Sequence, residues 1–359
     1  MVPVARSGER SVSVVMDPIS RRNFLKVSTF AGLGAAAGIA VPAASGLVSI
    51  DRTPHGAYPH RLKIAIADYM FNSRFKLDGT LGKKGGGPAG GGGGQAKQGG
   101  GQKGARKGED TAKAKQSAAP VVQDWDLFSF LDFCSEWGVD GAQISSYFFS
   151  SRADDYFFKL KRHAFLKGLT LSGIGSASNP SMPYGPARDE DMAEAKKVID
   201  YAAILGVTFV RFYPGQVFGG DRAEGDKRMI ASFEELGDYA GKRGVIIGVE
   251  NHDETPVDRM VPIIKQVNSP WVGISLAIAN TVTDAQLWSC MPYLVNYRLW
   301  FEDAGPDGNV SPANFKRISD IFRKGNYRGW IVLQREGGDP WETALPRNLK
   351  LVREYFGAV

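Results

Sequence analysis

The sequence predicts an α/β protein folded as a (β/α)8 TIM barrel. Three observations carry this expectation. Eight short runs are rich in Val, Ile, Leu and aromatics, amphipathic stretches of helical period lie between them, and glycines stand where helices hand over to strands. The runs are 62–69, 141–145, 170–175, 209–213, 245–250, 272–276, 293–301 and 329–334. Their near-continuous apolar character suits parallel strands buried on both faces.

The helices follow in order. Residues 125–137 read as the first, and His163 sits in a charged second one. In 191–205, Met192, Ala195, Val198, Ile199 and Ala202 recur at helical spacing, as do Met229, Ile230, Phe233, Leu236 and Ala240 in 228–243. Stretches 313–322 and 345–355 complete the series. Gly138, Gly168, Gly206 and Gly244 each precede a strand, as helix C-caps of repeated αβ turns do. An open doubly wound sheet is the competing arrangement. It needs a glycine-rich phosphate turn after the first strand, where Asp68-Tyr69-Met70 stands instead.

Two segments fall outside the barrel, predicted at 60–357. Residues 1–50 read as a twin-arginine signal peptide and linker. Ser20-Arg21-Arg22-Asn23-Phe24-Leu25-Lys26 matches the export motif, an uncharged Ala/Gly-rich stretch follows, and Ala43-Ala44-Ser45 supplies small residues for cleavage. This predicts a periplasmic or otherwise extracytoplasmic protein, with an uncleaved N-terminal anchor as the alternative. Residues 83–119 read as a disordered Gly/Lys-rich insert between the first strand and the first helix. Fourteen glycines fall in 82–108, and no apolar residue larger than Ala or Pro occurs in the insert. Such a segment cannot repay the entropy of ordering itself. It is either a passive solvated loop or a weak basic contact to the cell envelope.

Charge and cysteine content exclude several classes. The net charge of +6 is carried by 1–50 (+3) and 83–119 (+6), which leaves the remainder at −3. Nucleic acid is therefore not an expected partner. Two cysteines, Cys134 and Cys290, exclude a disulfide-rich scaffold and a cysteine-built metal site.

Barrel chemistry belongs at the C-terminal ends of the strands. Glu250 ends the fifth strand and is expected to project into the mouth, with His252 two residues on. Both are candidate catalytic residues, against a structural ion pair and an ordinary loop histidine. Tyr69, Tyr147, Arg211, Tyr213, Asn280, Trp300, Gln334 and Arg335 are candidate ligand-binding residues around the mouth. His55, His60 and His163 do not read as metal ligands.

Val249-Glu250-Asn251-His252, the run Ser269-Pro270-Trp271-Val272-Gly273-Ile274 and Gly329-Trp330-Ile331-Val332-Leu333 carry a resemblance. With these motifs the sequence resembles the xylose-isomerase-like barrel superfamily, in its sugar phosphate isomerase/epimerase branch. The resemblance implies a divalent metal (Mn, Mg or Co) held by Glu, Asp, His and Glu from strands five to eight. That metal polarises an open-chain sugar while the two glutamates move a proton. Glu250 matches the first ligand. Ala277, Trp300 and Gln334 stand at the other three places, and Asn280 remains from the strand-six pattern. Alanine and tryptophan do not coordinate a metal, and glutamine is a poor carboxylate substitute.

Two readings stay open. In the first, the chain is a non-catalytic carbohydrate- or partner-binding protein, a pseudoenzyme that needs no cofactor. In the second, it is an active sugar isomerase/epimerase or lyase, using a metal-free site around Glu250 or a relocated metal site of Glu250, His252, Glu302 and Glu336. The resemblance implies a small carbohydrate or sugar derivative as ligand, and a dimer.

Overall fold

The computed structural model describes residues 61–75, 124–215, 221–252, 255–277, 282–300, 312–334 and 341–357, with Trp300 and Pro312 described by their backbone only. The segments 1–50 and 83–119, and Asn280, Glu302, Arg335 and Glu336, lie outside the described residues.

Among the described residues, eight strands and eight principal helices alternate. They run β1 Lys63–Ala67, α1 Leu127–Glu136, β2 Gly141–Ser145, α2 Asp154–Leu166, β3 Thr170–Gly175, α3 Pro186–Leu205, β4 Phe209–Phe212 and α4 Arg222–Gly241. Then come β5 Ile246–Glu250, α5 Val257–Val267, β6 Val272–Ala277, α6 Asp284–Cys290, β7 Leu294–Trp300, α7 Pro312–Lys324, β8 Trp330–Gln334 and α8 Trp341–Phe356. Every strand pairs in parallel with its sequence neighbour, and β8 pairs with β1 to close the barrel. This is the (β/α)8 TIM barrel that the alternation predicts. At the helix-to-strand turns, Gly138, Gly168, Gly206 and Gly244 take φ between 61° and 73°, a left-handed conformation that costs glycine nothing.

The period-two alternation of each strand sorts its side chains. Ile64, Ile66, Ile144, Val210, Phe212, Ile247, Val249, Ile274, Leu276, Tyr297, Leu299, Ile331 and Leu333 belong to the main apolar core shared with the helices. The opposite face looks into the barrel, and it is largely polar or small rather than apolar. It carries Gln143, Ser145, Arg211, Glu250, Ser275, Asn296, Arg298 and Gln334, all buried. Ala65, Ala67 and Val332 form a separate small apolar cluster there. Phe209 fills the lower barrel. Its ring lies where a Cβ on Gly173 or Gly248 would come within 2.4 or 2.5 Å. Cys134 and Cys290 are buried free thiols.

The chain leaves β1 through a 3-10 turn, Asp68–Arg74, and the far side of the following segment returns to the same place. Phe75 and Trp125 form a parallel bridge, and the Trp125 N–H donates to the Arg74 carbonyl at 3.1 Å. Arg74 pairs with Asp124 at 2.9 Å and lies over the Trp125 ring, 5.0 Å from its centroid. The roots of segment 76–123 are thus stapled side by side.

Candidate functional site

The polar inner face culminates at the C-terminal ends of the strands. There β5 delivers Glu250, with its carboxylate fully buried. From β7, Arg298 donates through Nη1 to Glu250 Oε2 at 2.5 Å. From β4, Arg211 places its Nη1 3.4 Å from the same oxygen. A buried carboxylate demands such partners, because removing it from water unpaired costs several kcal/mol. Glu250 therefore does not project freely into the mouth, as its position in the sequence suggests. It is held inside the barrel by two guanidinium groups that are themselves buried. Burial opposes the Arg211 charge, but Glu250, with Tyr213 and Tyr147, outweighs it and holds the guanidinium above its ordinary pKa.

The pairing leaves polar atoms over. Among the described residues, Glu250 Oε1, Arg211 Nε and Arg298 Nε are buried and make no hydrogen bond, and Arg211 Nη1 has only its 3.4 Å ion pair.

Neighbouring strands make room for this cluster. Gly175 on β3 lies where a Cβ would stand 2.8 Å from Arg211 Nη2, so only glycine admits the guanidinium undisturbed. Ser145 on β2 donates its N–H and Oγ–H to the two oxygens of Asp68, each at 2.6 Å. Burial pushes the Asp68 pKa up to about 7, while the Ser145 bonds and the Arg211 and Arg298 charges pull it back. Burial likewise pushes the Tyr147 hydroxyl well up, with the Asp68 charge adding to it.

Above this floor sit aromatic residues. Tyr213 covers the Arg211 guanidinium at 4.3 Å from ring centroid to Cζ. The His252 ring meets Tyr213 edge-on at 5.6 Å. The chain turns at His252, which bridges Thr255 through hydrogen bonds of 3.2 and 2.7 Å. His252 thus joins Tyr213 rather than extending the Glu250 face of β5. Tyr69 and Tyr147 pair edge-to-face at 6.0 Å. Gln334 ends β8, fully buried, in register with Trp300. His163 is bound to Asp132 on the outer helices, 2.8 Å away.

The structure thus brings together Glu250, Arg211, Tyr213 and Tyr147 of the predicted residues, with His252 at the edge. It adds Arg298, Asp68, Ser145 and Asn251, which sequence reasoning missed. Asn251 clamps β5 to β6, its side-chain amide bonding both the N–H and the carbonyl of Ala277 at 2.7 and 2.9 Å. One signal for Arg298 was present. In Leu294–Trp300 it alternates with Asn296, which marks a polar inward face.

A divalent cation can be tested against these residues. Ala277 offers no donor atom, and Glu250 Oε2 already faces two fixed positive charges. Unit charges 4 Å apart interact by about 4 kcal/mol at an effective dielectric near 20, and a divalent ion doubles that against each guanidinium. Glu250 and Ala277, as they stand, do not fit such an ion. Among the described residues, no group of three or more His, Cys, Asp or Glu is placed to hold one. Two members of the relocated quartet, Glu302 and Glu336, lie outside the described residues.

Residues 131–355 match the family model of the xylose isomerase-like TIM barrel. The chain belongs to this family. Solved structures share its fold. A D-psicose 3-epimerase determined with D-fructose is 15% identical, with a TM-score of 0.56 over 65% of this chain and 95% of that one. A D-psicose 3-epimerase from Clostridium cellulolyticum H10 with D-tagatose is 19% identical, with a TM-score of 0.52 over 65% and 86%. A 3-keto-D-glucoside 4-epimerase from E. coli is 13% identical, with a TM-score of 0.53 over 64% and 94%. No curated protein matches the sequence significantly. Within this xylose isomerase-like barrel, the pairing of Glu250 with Arg298 and Arg211 is the feature that bears on chemistry.

Proposed function

We propose that this xylose isomerase-like barrel is an exported carbohydrate-binding protein that works without a divalent metal and does not catalyse sugar isomerisation. One observation carries the reading: Arg298 Nη1 lies 2.5 Å from Glu250 Oε2, with Arg211 on the same oxygen. The carboxylate at the place of the first metal ligand is committed to internal cations. With Ala277 and Gln334 at two further ligand positions, the inherited set is degenerate. A polar floor beneath Tyr213 and His252 suits a polyhydroxylated ligand, since hydroxyls both donate and accept and aromatic rings stack on sugar faces. The sugar epimerases that share the fold support carbohydrate as the class. The twin-arginine motif at Ser20-Arg21-Arg22 supports export.

The test is calorimetric titration of a sugar panel, with and without Mn or Co, alongside an assay for epimerised product. Binding that is indifferent to chelator, without turnover, is the expected result. Turnover that stops with chelator overturns the reading. Replacing Arg21-Arg22 by Lys-Lys is expected to retain the protein in the cytoplasm.

A second reading is favoured by Asp68, whose pKa is raised to about 7 by burial beside the two arginines. A proton donor and acceptor near neutrality next to fixed cations is the equipment of a metal-free epimerase or lyase. Turnover that survives chelation and is lost in Asp68→Asn selects it.

A further inference from the structure

The atoms left over at the barrel floor specify more than a neutral polyol. Arg211 Nε and Nη1 and Arg298 Nε are donors, and Glu250 Oε1 is an acceptor; among the described residues, all four are buried without a hydrogen bond. A guanidinium only donates and an ionised carboxylate only accepts. Each such group left unmade costs about 1–3 kcal/mol, so whatever fills the site must return these bonds. The guanidinium N–H groups can be met only by acceptors, and Arg211 Nη1 has just the 3.4 Å ion pair with Glu250 Oε2. Asn296 Oδ1 at the same level is a further unbonded acceptor among the described residues. A divalent cation presents no acceptor at all. A neutral hydroxyl brings one donor along with its two acceptor lone pairs. A carboxylate brings acceptors alone, in the planar geometry that an arginine fork matches, and a hydroxyl beside it supplies a donor.

We propose, resting on the carbohydrate reading above, that the ligand of this floor is a sugar acid bearing a carboxylate next to a hydroxyl. Arg211 and Arg298 hold the carboxylate. Glu250 Oε1 accepts from the adjacent hydroxyl, and Oε2 keeps both guanidiniums in place. Tyr213, lying over Arg211 at 4.3 Å, fixes the plane of one fork. Arg211 and Arg298 share Glu250, with Asp68 the other carboxyl acting on both, so an acid group placed here meets two guanidiniums.

The experiment is calorimetric titration of the full chain, in chelator, with a panel of six-carbon aldonates and uronates, the matching alditols, and D-fructose. At least one acid is expected to bind tenfold or more tightly than its alditol, with affinity falling as salt rises. Arg298→Lys keeps the charge but loses the fork, and is expected to narrow the gap between acid and alditol. The wild-type comparison stands even if that variant does not fold. An alditol or D-fructose binding as tightly as every acid overturns the sugar-acid inference and leaves the carbohydrate reading standing. No binding by any member of the panel overturns both.

Discussion

Arg298 and Glu250 meet across an intervening strand. Arg298 is on β7 and Glu250 on β5, yet Nη1 and Oε2 are 2.5 Å apart. The strand between them presents Ser275 in register with Glu250 and Ala277 in register with Arg298. Both side chains are small, so a long arginine can cross above β6. A larger acid at position 277 would stand in that path. The small side chain of Ala277 thus leaves room for Arg298 to reach Glu250.

Breaking this pair has a sign and a size. Arg298→Met leaves a fully buried carboxylate with only Arg211, at 3.4 Å. Losing one partner of a buried pair costs about 3–5 kcal/mol, because the remaining charge stays desolvated. Urea unfolding is expected to show that loss in Arg298→Met and a clear recovery in the double variant Arg298→Met/Glu250→Gln. If the double variant is no more stable than Arg298→Met alone, the guanidinium is not compensating Glu250.

Metal removal is expected to be silent. A ligand that binds only the folded state raises stability by RT ln(1 + [L]/Kd), about 4 kcal/mol at a thousandfold excess over Kd. Such a gain moves the thermal midpoint by several degrees. EDTA, or millimolar Mn or Co, is expected to leave the midpoint of the purified protein unchanged. A rise of several degrees with either metal, abolished by Glu250→Gln, contradicts this.

Part of this molecule was legible in its sequence, for physical reasons. The turn glycines were readable because the handovers at Gly138, Gly168, Gly206 and Gly244 each take a left-handed residue, and the strand runs because their outward faces are continuously apolar. α3 begins at Pro186, before the predicted 191, because its first turns rely on Arg188 rather than on apolar period. That guanidinium is buried and donates to Ser232 Oγ at 2.9 Å. Glu250 was readable as a carboxylate ending a strand. Its partner was not, because the contact depends on a residue 48 positions away and on the emptiness above Ala277. Asp68 was passed over for the same reason. It follows β1 directly, but its environment is made by Ser145, 77 positions on.

The stapled base of segment 76–123 predicts that most of the segment is dispensable. Phe75 and Trp125 are already bridged, with Arg74 holding Asp124. Deleting 83–119 leaves eleven residues to join two adjacent ends. Loop-closure entropy changes by about 0.6 kcal/mol per doubling of length, so shortening is expected to raise stability by about 1 kcal/mol. Thermal unfolding of the deletion protein checks this. A fall of several degrees means that the segment packs on the barrel.

Asp68 predicts the pH dependence. It faces Ser145 of β2, Arg211 of β4, Arg298 of β7, and Tyr147 and Cys134 nearby. Its carboxyl titrates near 7 in the fold, against an ordinary value of 3.8. Between those values the folded state binds more protons than the unfolded one, so stability falls as pH rises. The contribution of the protonated group is complete below pH 4, declines through pH 4–7 and is gone above that. A shift of this size amounts to at most roughly 4 kcal/mol. Asp68→Asn keeps an acceptor for the Ser145 N–H and offers a donor to Oγ, yet does not titrate. Unfolding free energies are expected to match wild type near pH 4, and the variant to be the more stable protein at pH 8. A variant less stable than wild type at pH 8 would show instead that the ionised carboxylate is needed to balance Arg211 and Arg298, which reverses the sign of its contribution.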